Sequence, residues 1–293
     1  VPGSGQRRAD WISFLGEVEI NYTREMRDFL KKNLKMRQMV INTQLDYGQY
    51  TGVYREAQND YSDLHLYWDH PTPPGGDYSK WGIDNTMLNK PMTPKLGSGD
   101  MLTHASTHHV AGKPLMISEW NHPAPNEFAT EGLPLVASIA ARQNWSGIVL
   151  HEYGAYGDGA PNDRIQHYFA VAANPEKWAF GPATALIFRQ GLISPAATRT
   201  VATMPATLSN DPKTQISVAE AWKQRDTNNK IFNERLVLAL GSAPPDRLKT
   251  KAANSTLRVL KDNGDDATAR FVADAPAAKI VTGMVANRKV ETQ

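Results

Sequence analysis

Four short apolar runs, each closing on polar and aromatic residues, restrict what this chain can fold into more than any other feature. Met39-Val40-Ile41 ends in Asn42-Thr43, and Asp63-Leu64-His65-Leu66-Tyr67-Trp68 leads into Asp69-His70-Pro71. Pro114-Leu115-Met116-Ile117-Ser118 leads into Glu119-Trp120-Asn121-His122-Pro123, and Gly147-Ile148-Val149-Leu150 leads into His151-Glu152-Tyr153-Gly154. Runs of this length and composition read as buried strands. Helical spacing lies around them. Trp11, Phe14, Leu15, Val18, Tyr22, Met26, Phe29 and Leu30 form one apolar stripe across residues 7–34, which predicts a long core-facing helix, and residues 133–144 and 175–190 read as two more. Strands alternating with helices imply a parallel α/β sheet with its site at the C-terminal ends of the strands.

After about residue 191 the texture changes. Residues 198–209, 235–240, 256–260, 269–273 and 279–285 are β-prone, separated by turn-formers such as Pro244-Pro245-Asp246 and Asp262-Asn263-Gly264-Asp265. The expected organisation is a partial (β/α) unit over residues 1–195 and a small, sandwich-like all-β domain over 196–293. Thirty-two Lys and Arg against 30 Asp and Glu give a net charge of +2, too little field for a nucleic-acid or membrane-surface partner. No apolar run approaches the roughly 20 residues of a membrane span. The absence of cysteine excludes disulfides, thiolate metal sites and a thiol nucleophile, without locating the compartment.

Glu119 stands at the end of a strongly apolar strand, beside an aromatic residue, where a carboxylate can act as nucleophile or base; the plain alternative is a strand-end ion pair. The segment Ile117-Ser118-Glu119-Trp120-Asn121-His122-Pro123-Ala124-Pro125-Asn126 resembles the nucleophile strand of clan A retaining glycoside hydrolases, cellulase-like TIM barrels whose seventh strand ends in Ser-Glu plus an aromatic. Asp63-Leu64-His65-Leu66-Tyr67 resembles the sixth strand of that family, and Trp145-Ser146-Gly147-Ile148-Val149-Leu150-His151-Glu152-Tyr153 the eighth. The resemblance covers roughly residues 7–200. It implies Glu119 as nucleophile, Tyr67 as its orienting partner, and sugar subsites lined by His65, Trp68, His70, Trp120, Asn121, His122, His151 and Tyr153. It implies no cofactor and an oligosaccharide or small β-glycoside as substrate.

A retaining hydrolase also needs a second carboxyl about 5–5.5 Å from the nucleophile. In the family this is a Glu after Asn at the end of the fourth strand. By the resemblance the helix of residues 7–34 follows that strand, which places the acid/base and four strands before Val1. The pairs Asn126-Glu127 and Asn233-Glu234 fall in the wrong places, and Glu152 is the local substitute to consider. The expected fold is therefore the C-terminal half of a (β/α)8 TIM barrel, about four strand–helix units, against about 250 residues for a full one. Half a barrel exposes sheet edges and apolar surface, which predicts a homo-oligomer or a complementing half.

Two rivals remain. A non-catalytic carbohydrate-binding or structural fragment would keep Glu119 without turnover. A metal-dependent hydrolase could use the strand-end set His65, Asp69, His70, Glu119, His122 and His151. A second group, His104, His108 and His109, falls in a Gly/Thr-rich region read as a loop, and the His108-His109 pair is expected to be solvated there. Gly97-Ser98-Gly99 lacks the strand–turn–helix context of a nucleophile elbow.

Overall fold

The computed structural model describes residues 5–48, 50–82, 84–92, 100–154, 165, 167–227, 229–246, 248, 256–258 and 271–282. Gly97-Ser98-Gly99, the turn at 262–265 and parts of the last three β-prone runs lie outside them. The elements in order are α1 (Gly5–Asp28), α2 (Gly52–Glu56), β1 (Ser62–Tyr67), α3 (Met101–Thr107), β2 (Leu115–Asn121), α4 (Ala129–Gln143), β3 (Gly147–Leu150) and α5 (Pro175–Arg189). They are followed by β4 (Thr198–Met204), α6 (Val218–Trp222), α7 (Lys230–Asn233), β5 (Glu234–Leu240), β6 (Thr256–Arg258), β7 (Phe271–Ala275) and β8 (Ala278–Thr282). The fold is mixed α/β, with parallel strands in small sheets.

The sheet that matters is β1-β2-β3, all parallel, which three of the four apolar runs build as expected. Helix α4 crosses between β2 and β3. Leu133, Leu135, Val136, Ile139 and Ala140 sink from it into one cluster with Leu64, Leu66, Leu115, Ile117 and Trp120 of the sheet. Asn144 ends the helix in the left-handed conformation (φ +59°), a geometry asparagine tolerates better than other side chains.

The fourth run, residues 39–43, forms no strand. Its contact with β1 is one exchange just upstream of that strand: the Val40 N–H donates to Asp60 Oδ2 (2.9 Å) and the Val40 carbonyl accepts from the Asp60 N–H (3.0 Å). A ladder needs a partner alongside, and the carboxylate of Asp60 takes the place of one.

The long N-terminal helix forms, and continues as a π-helical turn over Phe29–Asn33, but it is turned the other way. Its buried residues are Ala9, Ser13, Gly16 and Thr23, while Trp11, Phe14, Leu15, Val18, Tyr22, Met26 and Phe29 are all exposed. The stripe therefore does not face the core. Small residues let the backbone of α1 approach Thr51 and Leu208 closely, and a Cβ at Gly16 would overlap both side chains.

Residues 196–293 also differ from an all-β domain. Strands β4 and β5 are parallel, with the short helices α6 and α7 between them in sequence. Their buried side chains, including Met204, Trp222, Phe232 and Leu236, belong to the same cluster as the β1-β2-β3 sheet, so the expected boundary after residue 195 runs through a shared core. Polar side chains of α4 complete the join: Gln143 donates to the carbonyls of Ile231 and Glu234, and Arg142 to that of Phe232. Strands β6, β7 and β8 form a separate antiparallel sheet. Among the described residues no helix is long and apolar enough to cross a membrane.

Candidate active site

Along β2 the pairing is regular through Ile117 and then slips: Leu64 pairs with Ile117 but His65 with Glu119. The β3 register slips at the same place, Ile117 pairing with Ile148 and Trp120 with Leu150. Ser118 is the extra residue. Its N–H and hydroxyl both donate to the carboxylate of Asp63, at 3.0 and 2.6 Å, which replaces the ladder bond the bulge removes. Bulges re-aim the side chain that follows them, and here that side chain is Glu119. Burial pushes the Asp63 carboxyl up, against the two Ser118 bonds that hold it down.

Among the described residues two groups meet Glu119, both at Oε2. The Tyr67 hydroxyl donates to it in a short hydrogen bond, and His65 Nδ1 lies 3.2 Å away. Tyr67 and His65 are two apart on β1, hence on one face of the strand, and the register brings that face level with Glu119. The Glu119 side chain is 32% exposed, accessible yet partly shielded. The Tyr67 ring is set among His70 (centroids 5.2 Å apart), His151 (5.9 Å) and Phe169 (4.9 Å). From His70 the aromatic surface continues through Trp81 (5.6 Å) to Tyr78, which stacks on Trp81 at an interplanar angle of 11° and is exposed. The result is a carboxylate at the foot of an aromatic wall.

Glu119, Tyr67, His65, His70 and His151 are thus brought together. Trp120, Asn121 and His122 are not at the cleft: they are 0%, 1% and 2% exposed. Side chains alternate along a strand, so a Glu119 that faces the cleft sends Trp120 into the core. Asn121 is used up inside. Its amide nitrogen donates to the carbonyls of His151 and Phe169, and its oxygen accepts from Lys177 Nζ at 2.6 Å. It ties the end of β3 to α5. Burial draws Lys177 down to about 8 and His122 down to about 4, leaving the imidazole neutral at pH 7. The indole of Trp68 donates to the Lys90 carbonyl at 2.7 Å, and Tyr153 is exposed with its ring edge-on to Trp178.

Reading the sequence misses Asp63, Ser118, Phe169, Trp81 and Tyr78. A polar residue near the start of one apolar strand and another in the middle of its neighbour are a weak signal for a bulge, and only the register reveals it. Phe169 lies in a segment with no periodicity.

Glu152 Oε1 lies 3.0 Å from His167 Nδ1, so the local substitute for the acid/base is paired with an imidazole. The strand-end metal set does not converge: Asp69 spends its carboxylate on the N–H groups of Leu88 and Asn89, and His122 is buried. Among the described residues the one group of three donors suited to a metal ion is Asp46, His104 and His108. His104 and His108 are not in a loop but on and just past α3, while His109 is turned into the core, its Nε2 2.9 Å from the Lys113 carbonyl. No protein-family model, curated protein or solved structure matches the chain.

Proposed function

We propose that this chain is the nucleophile-bearing half of a retaining β-glycosidase barrel. The observation that carries the reading is the pair of contacts on Glu119 Oε2. A tyrosine hydroxyl and an imidazole on one oxygen fix the rotamer of the carboxylate and leave Oε1 as the oxygen directed at substrate. The aromatic wall suits the apolar C–H face of a sugar ring, while His65, His70 and His151 offer hydrogen bonds to its hydroxyls.

In the first step Glu119 Oε1 bonds to the anomeric carbon as the bond to the leaving oxygen breaks, and a carboxylic acid gives that oxygen its proton. In the second, the same acid, now ionised, takes a proton from water, whose oxygen attacks the anomeric carbon and frees Glu119. Among the described residues the groups on Glu119 do not include a second carboxyl, and the reading assigns the acid/base to a complementing barrel half, which would also cover the exposed Val149 and Leu150 of β3. A second reading, a carbohydrate-binding fragment without turnover, draws on the same feature.

Wild type and Glu119→Gln assayed on a panel of chromogenic β-glycosides separate the two. Removal of a nucleophile predicts a loss of several orders of magnitude in kcat with the protein still folded. Equal rates in both proteins refute the nucleophile, and sugar binding without turnover in either supports the fragment. Tyr67→Phe, which removes one contact and keeps the ring, should lower kcat by about 10- to 100-fold and leave KM nearly unchanged.

A further inference from the structure

Near His65 lies a cluster that the glycosidase reading does not use. Asp46, in the short 3-10 turn Leu45–Gly48, faces His104 and His108 of the α3 segment, and one donor atom from each lies within 4.8 Å of the others. His104 Nε2 is 3.1 Å from both carboxylate oxygens of Asp46. The two imidazoles sit four residues apart, one helical turn, with ring centroids 4.1 Å apart. We propose that Asp46, His104 and His108 form a binding site for a divalent transition-metal ion of the zinc type.

Three arguments support this. The spacing fits: ligands at about 2.0–2.2 Å around a tetrahedral ion stand roughly 3.3 Å from each other, close to the separation already present between His104 and Asp46. The chemistry fits: two imidazoles and one carboxylate suit a borderline ion such as Zn²⁺ and are poor ligands for Mg²⁺ or Ca²⁺, which want oxygen. The outer partners fit as well. His108 Nδ1 lies 2.8 Å from the His104 carbonyl, and a carbonyl only accepts, so Nδ1 carries the proton and Nε2 is left with the lone pair. A ligand imidazole held by its other nitrogen to a backbone carbonyl is the usual orienting arrangement at metal sites.

The frame under the ligands is rigid. Asp100 caps α3 through the N–H groups of Leu102 and Thr103 and the hydroxyl of Thr103, and the Trp222 indole holds the Thr107 carbonyl at 2.9 Å. Asp46 and His104 are partly open to solvent, at 39% and 42% side-chain exposure, so the ion can enter and water can complete its shell. An ion here would clamp the 45–48 turn to α3. That turn carries Tyr47, whose ring meets His65 edge-on at 6.0 Å.

The test is binding, which does not depend on glycosidase activity. The purified full chain, stripped with chelator, is titrated with Zn²⁺ by calorimetry, beside Asp46→Asn, His108→Ala and His70→Ala. One ion per chain is expected for wild type and His70→Ala, with Kd raised more than about tenfold in Asp46→Asn and His108→Ala. Co²⁺ in place of Zn²⁺ should give visible ligand-field bands in wild type that both variants lose, and melting in chelator shows whether each variant is folded. No stoichiometric Zn²⁺ binding by wild type overturns the proposal. So does undiminished binding in folded Asp46→Asn and His108→Ala, or a loss of binding in His70→Ala alone, which would put the ion at the strand ends.

Discussion

Helices α1 and α4 are both amphipathic, yet they meet the rest of the molecule in opposite ways. Helix α4 is buried nearly all round, packed against α5, α7 and β5 and sharing one apolar cluster with the β1-β2-β3 sheet. Helix α1 docks by small residues and polar bonds: Arg55 Nη1 to Glu19 at 3.0 Å, Asn42 Nδ2 to Thr23 at 2.8 Å, and Arg27 Nε to Asp60 at 3.1 Å. Its large apolar side chains point to water. The spacing of apolar residues tells that a helix has a face. It does not tell which neighbour covers that face, and on α1 the covered side is the one that lets backbones approach.

The largest effect separating the two helices should come from the core of α4. Ile139→Ala removes a fully buried side chain and should cost about 2–5 kcal/mol in urea denaturation. Next, Gly16→Val on α1 would force its side chain against Leu208 and Thr51 and should cost about 1–3 kcal/mol; a neutral result would mean that the small-residue face is not the docked one. Smaller again is an acid effect on the polar seam. Burial works against it, yet Arg27, the Val40 N–H and Lys31 hold the Asp60 carboxyl down to about 2, below its ordinary 3.8. The unfolded chain therefore binds this proton first, so the stabilisation is complete above about pH 4 and is lost as pH falls from 3.8 toward 2. Asp60→Asn should flatten that limb of the stability–pH curve, and an unchanged limb would remove Asp60 from the seam.

The smallest change in stability should come from the exposed stripe. Val18→Ser is expected to shift the unfolding free energy by less than about 0.5 kcal/mol. If the stripe is one of the contacts by which the half-barrel reading expects the chain to pair with a second copy, the same substitution should weaken self-association in sedimentation velocity. A wild type that stays monomeric at high concentration, with no exposed-surface dye binding, would count against that reading.

Much of the centre of the molecule was legible in the sequence. Strands β1, β2 and β3 announce themselves as apolar runs with polar ends; β1 and β2 are largely buried, whereas Val149 and Leu150 of β3 are exposed. Glu119 and Tyr67 were legible for the same reason, as polar residues at the ends of such strands. What was hidden depends on neighbours. Residues 39–43 have strand composition but no ladder partner, since Asp60 occupies that place. Trp120 and Asn121 carry the residue types of a sugar subsite, yet the alternation of side chains along the strand turns Trp120 inward, and Asn121 is held inside by the carbonyls of His151 and Phe169 and by Lys177, neither of which composition encodes. The α3 helix was missed because its seven residues, Met101–Thr107, are rich in Thr and Ser; the Asp100 cap starts it where periodicity could not be seen.

The central claim is that Glu119 attacks the anomeric carbon, and it can be tested without knowing where the acid/base resides. A 2-deoxy-2-fluoro β-glycoside with a dinitrophenolate leaving group departs without protonation, and the fluorine slows the second step, so the glycosyl-enzyme accumulates. Incubation of the folded wild-type chain followed by peptide mass spectrometry should show one sugar added to the peptide containing Glu119, and none in Glu119→Gln. A sugar found on another residue, or dinitrophenolate released enzymatically with Glu119 left unmodified, would contradict the account.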